Sequence, residues 1–454
     1  MELYTRIVKF LAFACCAAFV FLIPFAWQSA NYILGSFALF AVINPEFWKN
    51  FKTTKLTFAE KAVLLITSAY LLWEVVSLLW TYNTDRGLTM ITRHLPLFAM
   101  PCLLVIAKIG GVIKRHSTIV QIFCLGVLVS MVICLILSYF DSCYDVNGRV
   151  FFDHRIPGYR DKGLLVSLSC GYSFFSYIQL SHFENPHYLA FFVNVVLMVL
   201  YTNFYQSGFK PWRVVVLSGI TLFCIGFLFL LCNRINYIVF AIIICVIAGY
   251  EFFAKKHRLV GVVVLVGVVV SASLMFGSGR GRDMLRKIQS VLVVEDQPSN
   301  KYLTEEKNLD FINSRTVIWK SSTRLIAKHP ILGSGVGDTM EALTGQFFID
   351  GYLDSGYAEY NSHNQYFDSL IGLGIVGLLL LLGLLAVPFV AGVKYGFLPL
   401  FLYGIALAVG FITEVMFTHS IGDFSITFIM MLMIMSAIEA FNRTKASTIP
   451  VERT

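Results

Sequence analysis

The sequence predicts an all-α polytopic membrane protein of about 12 transmembrane helices, with a large outer loop containing helices between spans 9 and 10. Three observations carry this. Of 454 residues, 57% are hydrophobic and only 14% charged, where a soluble chain carries about a quarter charged residues. Apolar runs recur that reach the roughly 20 residues needed to cross hydrocarbon. One long stretch, 277–364, interrupts them with polar, weakly periodic sequence. The alternating ten-residue pattern of an outer-membrane barrel is absent.

Twelve spans are expected at about 9–27, 29–45, 62–81, 95–112, 118–139, 187–204, 213–232, 236–252, 259–276, 365–390, 397–416 and 421–441. The first lacks a small-residue cleavage site and reads as a retained span, not a signal peptide. Lys49, Lys52, Lys55, Lys61, Lys108, Lys114, Arg115, Lys255, Lys256 and Arg258 all fall in connections on one side, with Arg443 and Lys445 in the tail. The positive-inside bias makes that side cytoplasmic, with both termini there. The chain then divides into 1–276 (spans 1–9, with an outer interfacial segment at 140–186), the loop 277–364, spans 10–12 over 365–441, and a tail at 442–454.

Residues 163–180 are apolar, but Ser, Gly and Tyr dilute them, and a span there would turn the basic loop at 255–258 outward. They are expected as a helix at the outer interface. The ten cysteines mostly sit inside apolar runs as small hydrophobes. Cys143 and Cys170 share one outer segment, as either a disulfide or two free thiols. No CxxC pair points to structural zinc. The stretch 294–314 is the most polar, and an outer loop is expected there.

Basic residues sort by type across the two sides. The inside holds 18 Lys and Arg, six of them Arg; the outside holds 17, eleven of them Arg. Those eleven are Arg86, Arg93, Arg149, Arg155, Arg160, Arg234, Arg280, Arg282, Arg286, Arg315 and Arg324. Arginine's planar fork matches paired phosphate oxygens, which lysine cannot do. The alternative for any one of them is pairing with loop carboxylates or lipid headgroups. Arg234, in a turn between two apolar runs, and Arg93, at the mouth of the fourth span, lie close to hydrocarbon, where ionisable groups are costly and mark function.

The stretch from Arg315 to Gly377 organises the outer side. Ser314 is an N-cap candidate for a helix over 315–328 that Pro330 stops. Arg315, Trp319 and Ser322 share one face of it, and Arg324 lies on another. The run Leu332-Gly333-Ser334-Gly335-Val336-Gly337 follows. No strand precedes it and no Lys-Ser/Thr closes it, so it reads as a turn and not a nucleotide loop. His363 stands at the outer end of the tenth span, in Tyr360-Asn361-Ser362-His363-Asn364. A histidine there can take a proton from an attacking hydroxyl, or it can be a structural hydrogen bonder.

Other catalytic signatures are missing: no GxSxG, HExxH or Walker motif, and no aspartate-x-aspartate motif. His182 and His187 are five apart without a partner completing a metal site. Glu74 is the one acidic residue placed well inside a span. Glu414, His419 and Asp423 sit at an outer end, as partners of the site or as structural pairs.

These elements, in this order, resemble the O-antigen ligase family with its Wzy_C-type domain. His363-Asn364, nine residues, then Gly374-Ile375-Val376-Gly377 fits a His-Asn-x9-Gly-x-x-Gly pattern at full spacing. Arg315 opens an Arg-x3-apolar element, with Trp319 where leucine is frequent. Residues His329 to Gly335 look like the family's Pro-Leu-Gly-x-Gly turn, and Phe183 to Ala190 like the element opening the sixth span. Arg234 matches a Ser-Arg turn in which Asn233 replaces serine.

The resemblance implies a bacterial inner-membrane glycosyltransferase whose site faces the periplasm, which makes the large outer loop periplasmic. It implies transfer of a glycan from undecaprenyl diphosphate to lipid A-core, by inversion and without metal or ATP. His363 would be the base. Arg315, Arg234 and Arg93 would bind the diphosphate, with Arg324, Asn364, Tyr360 and Arg160 as further candidates for the same site. No cofactor is required, because the phosphoglycosyl bond stores the energy. The partners expected are the lipid-linked donor, lipid A-core and membrane lipids, with no nucleic acid. The same family contains polysaccharide polymerases and protein O-glycosyltransferases, which differ in the acceptor. From another class, a transporter of the same lipid carrier remains; it would carry out no transfer and would not need His363.

Overall fold

The computed structural model describes residues 1–25, 30–146, 149–152, 163–169, 173–206, 210–256, 258, 262, 311–352, 360–417 and 420–448. Helices dominate it. They are α1 (Glu2–Leu22), α2 (Ala30–Ile43), α3 (Pro45–Asn50), α4 (Phe58–Ser77), α5 (Thr84–Ile109), α6 (His116–Ser142), α7 (Leu164–Ser169), α8 (Tyr177–Leu180), α9 (Pro186–Gln206), α10 (Pro211–Leu231) and α11 (Arg234–Gly249), which runs on into a π turn. Then come α12 (Phe311–Lys328), α13 (Thr339–Ile349), α14 (Gln365–Tyr395), α15 (Leu398–Gly410) and α16 (Ser420–Thr448). A strictly all-α expectation needs one amendment. The chain after α6 forms a two-stranded antiparallel hairpin, Cys143–Val146 with Arg149–Phe152.

Eight described helices are long and apolar enough to cross a membrane: α1 with its following turn, α5, α6, α9, α10, α11 with its π turn, α14 and α16. α2 and α15 are apolar but shorter. α4 has 20 residues but carries Glu60, Lys61 and Glu74. The expected ninth span, 259–276, lies outside the described residues except for 262. So does Cys170, and with it the disulfide question. In 163–180 the chain forms two short helices, of six and four residues, at about 1.5 Å per residue too short to cross hydrocarbon.

Local chemistry sets the helix starts. Thr57 and Glu60 form a reciprocal capping box on α4. Asn83, Asn233 and Asn364 cap α5, α11 and α14, each side-chain oxygen accepting from backbone N–H groups two or three residues on. Asn233 thus does what serine does at a helix N-cap, so its replacement of serine preserves the turn.

One apolar core runs through the bundle. α5 packs on α16, α4 and α15 flank α14, and α9 lies among α6, α10, α11 and α15. A second, small core of Ile318, Leu325, Leu343, Phe347 and Ile371 joins α12 and α13 to the first turns of α14. Ion pairs gather at the two ends. Lys9–Glu46, Lys108–Glu60 and Arg443–Glu439 lie at one. Arg86–Glu341, Arg315–Glu414 and Arg324–Asp350 lie at the other. α5 joins the ends, with Arg86 in its first turn and Lys108 in its last.

The glycine-rich turn fixes the second end. α14 breaks at Gly374, whose φ of +64° and ψ of −161° leave the helical region. Ile375 N–H then donates to the Pro330 carbonyl at 3.0 Å, while Ser334 and Gly335 N–H donate to the Ile371 and Gly372 carbonyls at 2.7 and 2.9 Å. A Cβ on Gly374 would stand 2.1 Å from the Ile331 carbonyl oxygen. The glycine run therefore spends two of its N–H groups on docking. The spacing of His363 to Gly374 is the stretch of helix between the site and its brace.

Candidate functional site

Glu414, in the turn after α15, is the hub. Its Oε1 accepts from Arg315 of α12 at 2.9 Å and lies 3.0 Å from His187 Nε2 at the start of α9. Its Oε2 lies 3.9 Å from His363 Nδ1, just before α14, an ion-pair distance and too long for a direct hydrogen bond. Burial would raise the Glu414 pKa. Hydrogen bonding to His187, the nearby His363 and the Arg315 charge outweigh it and hold the carboxyl at about 2.

The protonation of His187 follows from its neighbours. Asn233 Oδ1 accepts from Asn236 N–H, which turns its amide Nδ2 toward His187 Nδ1, 2.7 Å away. An amide nitrogen only donates, so Nδ1 accepts and the proton sits on Nε2, facing Glu414. The Tyr177 hydroxyl lies 3.1 Å from the same Nε2. Burial and Glu414 raise the Tyr177 pKa, while Arg315 and Arg234 act against the rise, so both arginine charges reach this hydroxyl.

The site thus collects the N-terminal ends of α9, α11 and α14, each carrying partial positive charge from unpaired N–H groups. Arg234 is the first residue of α11. With Arg315 it makes the setting cationic around one carboxylate, which suits an anionic ligand.

His363 has φ of +46°, unusual for a non-glycine residue. Its N–H donates to Asn361 Oδ1 at 3.0 Å. Trp319 Nε1 donates to the Ser362 carbonyl at 3.1 Å, tying α12 to the residue before it. Trp319 is therefore more than an apolar filler at its motif position. Asn364 caps α14 through Tyr366 and Phe367 N–H, and the Tyr360 ring lies 5.9 Å from the His363 ring.

The structure brings His363, Arg315, Asn364 and Tyr360 together, and puts Arg234 at the start of α11, next to Asn233, which bonds His187. It gives Arg324 another position, with its guanidinium on Asp350 at 2.7 Å. Asp350 also accepts from Ser321 and Gln346, so this group ties α12 to α13. Arg93 is exposed on α5; among the described residues no ion pair or hydrogen bond joins it to Glu414. Its neighbour His94 is turned inward, between Glu74 and the Phe417 carbonyl. Arg160 lies outside the described residues.

His187 and Tyr177 are site residues that pattern reading did not select. His187 sits in the family-like Phe183–Ala190 element, but its chemistry was weighed only for metal binding with His182. Among the described residues no three His, Cys, Asp or Glu side chains are grouped to hold a metal ion.

A multi-span helical membrane protein, with arginines and histidines gathered where helix N-termini meet at one end, is the class that this fold and site define. Residues 219–382 match the Wzy_C family model, O-antigen ligase, so this part of the chain is similar to that family. The match runs from within α10 through α11, α12 and α13 into α14, and so includes Arg234, Arg315 and His363. No curated protein matches the chain. At the level of the family, the substrates are a lipid-linked glycan and a lipid acceptor.

Proposed function

We propose that this protein is a ligase-type glycosyltransferase that moves a glycan from undecaprenyl diphosphate to lipid A-core at the periplasmic face of the bacterial inner membrane. The observation that carries the reading is the convergence of His363, Arg315 and His187 on the partly buried Glu414, with Arg234 at the adjoining helix start. In the proposed layout twelve helices cross the membrane and both termini are cytoplasmic. The Lys9, Lys108 and Arg443 pairs then lie inside, and the Arg86 and Arg315 pairs outside.

In this mechanism Glu414 faces His363 Nδ1 and orients the ring, so that Nε2 takes the proton of the acceptor hydroxyl. The hydroxyl oxygen attacks the anomeric carbon, and the bond from that carbon to the diphosphate oxygen breaks with inversion. Undecaprenyl diphosphate leaves with its negative charge against Arg315 and Arg234, with Arg93 as a further candidate on the outer surface. No ATP or metal enters the step. His187, held as the Nε2–H tautomer, keeps Glu414 ionised and in place.

The test is reconstitution of the purified chain with undecaprenyl-diphosphate glycan and lipid A-core, with chelator and without ATP. The expected result is glycan-bearing lipid A-core, reduced about 10²- to 10⁴-fold in His363→Ala with donor binding kept. Longer glycans on the carrier instead would make the protein a polymerase. No transfer to any acceptor, with carrier translocation intact in His363→Ala, would make it a transporter.

A further inference from the structure

On the other side of the Asn361–His363 segment lies an open cleft of about 80 Å³. α4, α5, α14 and the glycine-rich turn wall it. Two carboxylates line it, Glu74 and Asp368, with the hydroxyls of Tyr70 and Ser369 and the side chain of Asn361; His94 and Arg86 also line it, and Arg86 pairs with Glu341.

Glu74 is fully buried. Its Oε1 is engaged by His94 Nδ1 at 2.5 Å. Its Oε2 has no hydrogen-bond partner among the described residues. A buried carboxylate oxygen left unmatched is costly, and native structures keep such groups where a ligand completes them. Tyr70 and Ser369 hydroxyls lie 3.3 Å apart in the cleft wall.

Its position relative to the base is fixed by the chain. Asn361 and Ser362 line the cleft and run directly into His363, and Asp368 stands one turn or so further on in α14. A group seated in the cleft therefore lies beside the base, with Arg86 rather than Arg315 or Arg234 in the cleft wall.

We propose that the cleft seats the acceptor sugar, a hydroxyl-rich pyranose whose O–H groups donate to Glu74 Oε2 and the Asp368 carboxylate and whose reacting hydroxyl points to His363. Two acceptor carboxylates suit a neighbouring pair of sugar hydroxyls, because each hydroxyl offers a proton and ionised carboxylates only accept. The same carboxylates repel a diphosphate, so donor and acceptor are sorted by charge. This rests on the ligase reading for the identity of the sugar, but the site is testable without any transfer.

The experiment measures binding of deacylated lipid A-core oligosaccharide, by calorimetry, to the full chain in nanodiscs. Wild type, Asp368→Asn, Glu74→Gln and Arg315→Ala are compared, and undecaprenyl diphosphate binding is measured on each. The expected result is a loss of about 10- to 100-fold in saccharide affinity in Asp368→Asn and Glu74→Gln, the range for hydrogen bonds to charged groups. Diphosphate affinity stays within about twofold in both, which shows that they are folded. Arg315→Ala shows the reverse. Saccharide affinity unchanged in Asp368→Asn, or no saccharide bound by wild type, overturns the proposal. So does stabilisation of wild type by sodium or potassium that the saccharide does not displace, since the cleft is then a cation site. Saccharide binding that depends on Asp368, without transfer in reconstitution, keeps the sugar site and removes the ligase reading.

Discussion

The two sides of the segment 361–364 differ in charge, and the difference assigns them work. On one side Arg315, Arg234 and helix N-termini surround a single carboxylate, Glu414. On the other, Glu74 and Asp368 line a cleft with the hydroxyls of Tyr70 and Ser369, and the one arginine in its wall, Arg86, is paired with Glu341. A group that leaves as an anion is stabilised by the first and repelled by the second. A group that arrives as a neutral hydroxyl is oriented by the second. His363 stands between them, so one backbone segment separates the leaving group from the nucleophile. Both sides hang on the same brace, the glycine-rich turn docked at the break in α14.

The largest effect should come from the brace. In Gly374→Ala a Cβ would meet the Ile331 carbonyl oxygen at 2.1 Å, at a φ of +64°. Backbone cannot yield as a flexible side chain does, so the turn must undock, at a cost on the order of 4 kcal/mol or more. Thermal unfolding in detergent should show a drop of many degrees, and diphosphate and saccharide binding should fall together. Loss of one ligand alone would mean that the two sides are braced separately.

Next comes the cationic side. Arg315→Lys keeps a charge but not the fork, and a single ammonium cannot serve Glu414 and a phosphate in the same geometry. Steady-state transfer should fall about 10- to 100-fold in Arg315→Lys, and about 10²- to 10³-fold in Arg315→Ala, comparable to loss of one oxyanion donor. Full activity in Arg315→Lys would leave bulk positive charge as the whole requirement.

Glu414 gives a smaller effect with a defined pH signature. Its folded pKa of about 2 lies below its ordinary 4.5, so its stabilisation is present above about pH 4.5 and is lost as pH falls toward 2. At about 1.4 kcal/mol per unit this amounts to about 3 kcal/mol. Unfolding profiles of wild type and Glu414→Gln should therefore differ most near neutral pH and converge below pH 4.5. A constant gap across that window would remove the ion-pair account of Glu414.

Much of one side was legible in the sequence, and little of the other. His363, Arg315 and Arg234 stand in short motifs whose spacing is local. Asn233 and Asn364 follow from capping rules once a helix start is recognised. Glu414 was visible as an acidic residue at an outer end, but its partners Arg315 and His187 lie in distant segments, and no periodicity reports such a contact. The cleft was less visible still. Glu74 showed only as a carboxylate out of place in a span, and Asp368 as an ordinary acid in a helix's first turn. Their meeting depends on how α4 packs on α14. The glycine run read as a turn; that two of its N–H groups, on Ser334 and Gly335, are taken by carbonyls of α14 is displayed only in the docked structure.

Arg324 supplies the smallest effect, and it bounds the cationic side. It shares α12 with Arg315 but lies on another face, and its guanidinium, about half exposed, pairs with Asp350. Burial acts to raise the Asp350 pKa, and the hydrogen bonds from Ser321, Arg324 and Gln346 lower it further than burial raises it. An exposed pair of this kind is worth about 0–1 kcal/mol. Two of the three hydrogen bonds to Asp350 survive in Arg324→Ala, so the link between α12 and α13 should hold. Transfer rate and diphosphate affinity should stay within about twofold of wild type, with a melting temperature lower by no more than a few degrees. A tenfold loss of diphosphate affinity with stability unchanged would place the donor across both faces of α12. The cationic side would then extend well beyond Glu414, and Arg324 would join Arg315 in holding the leaving group.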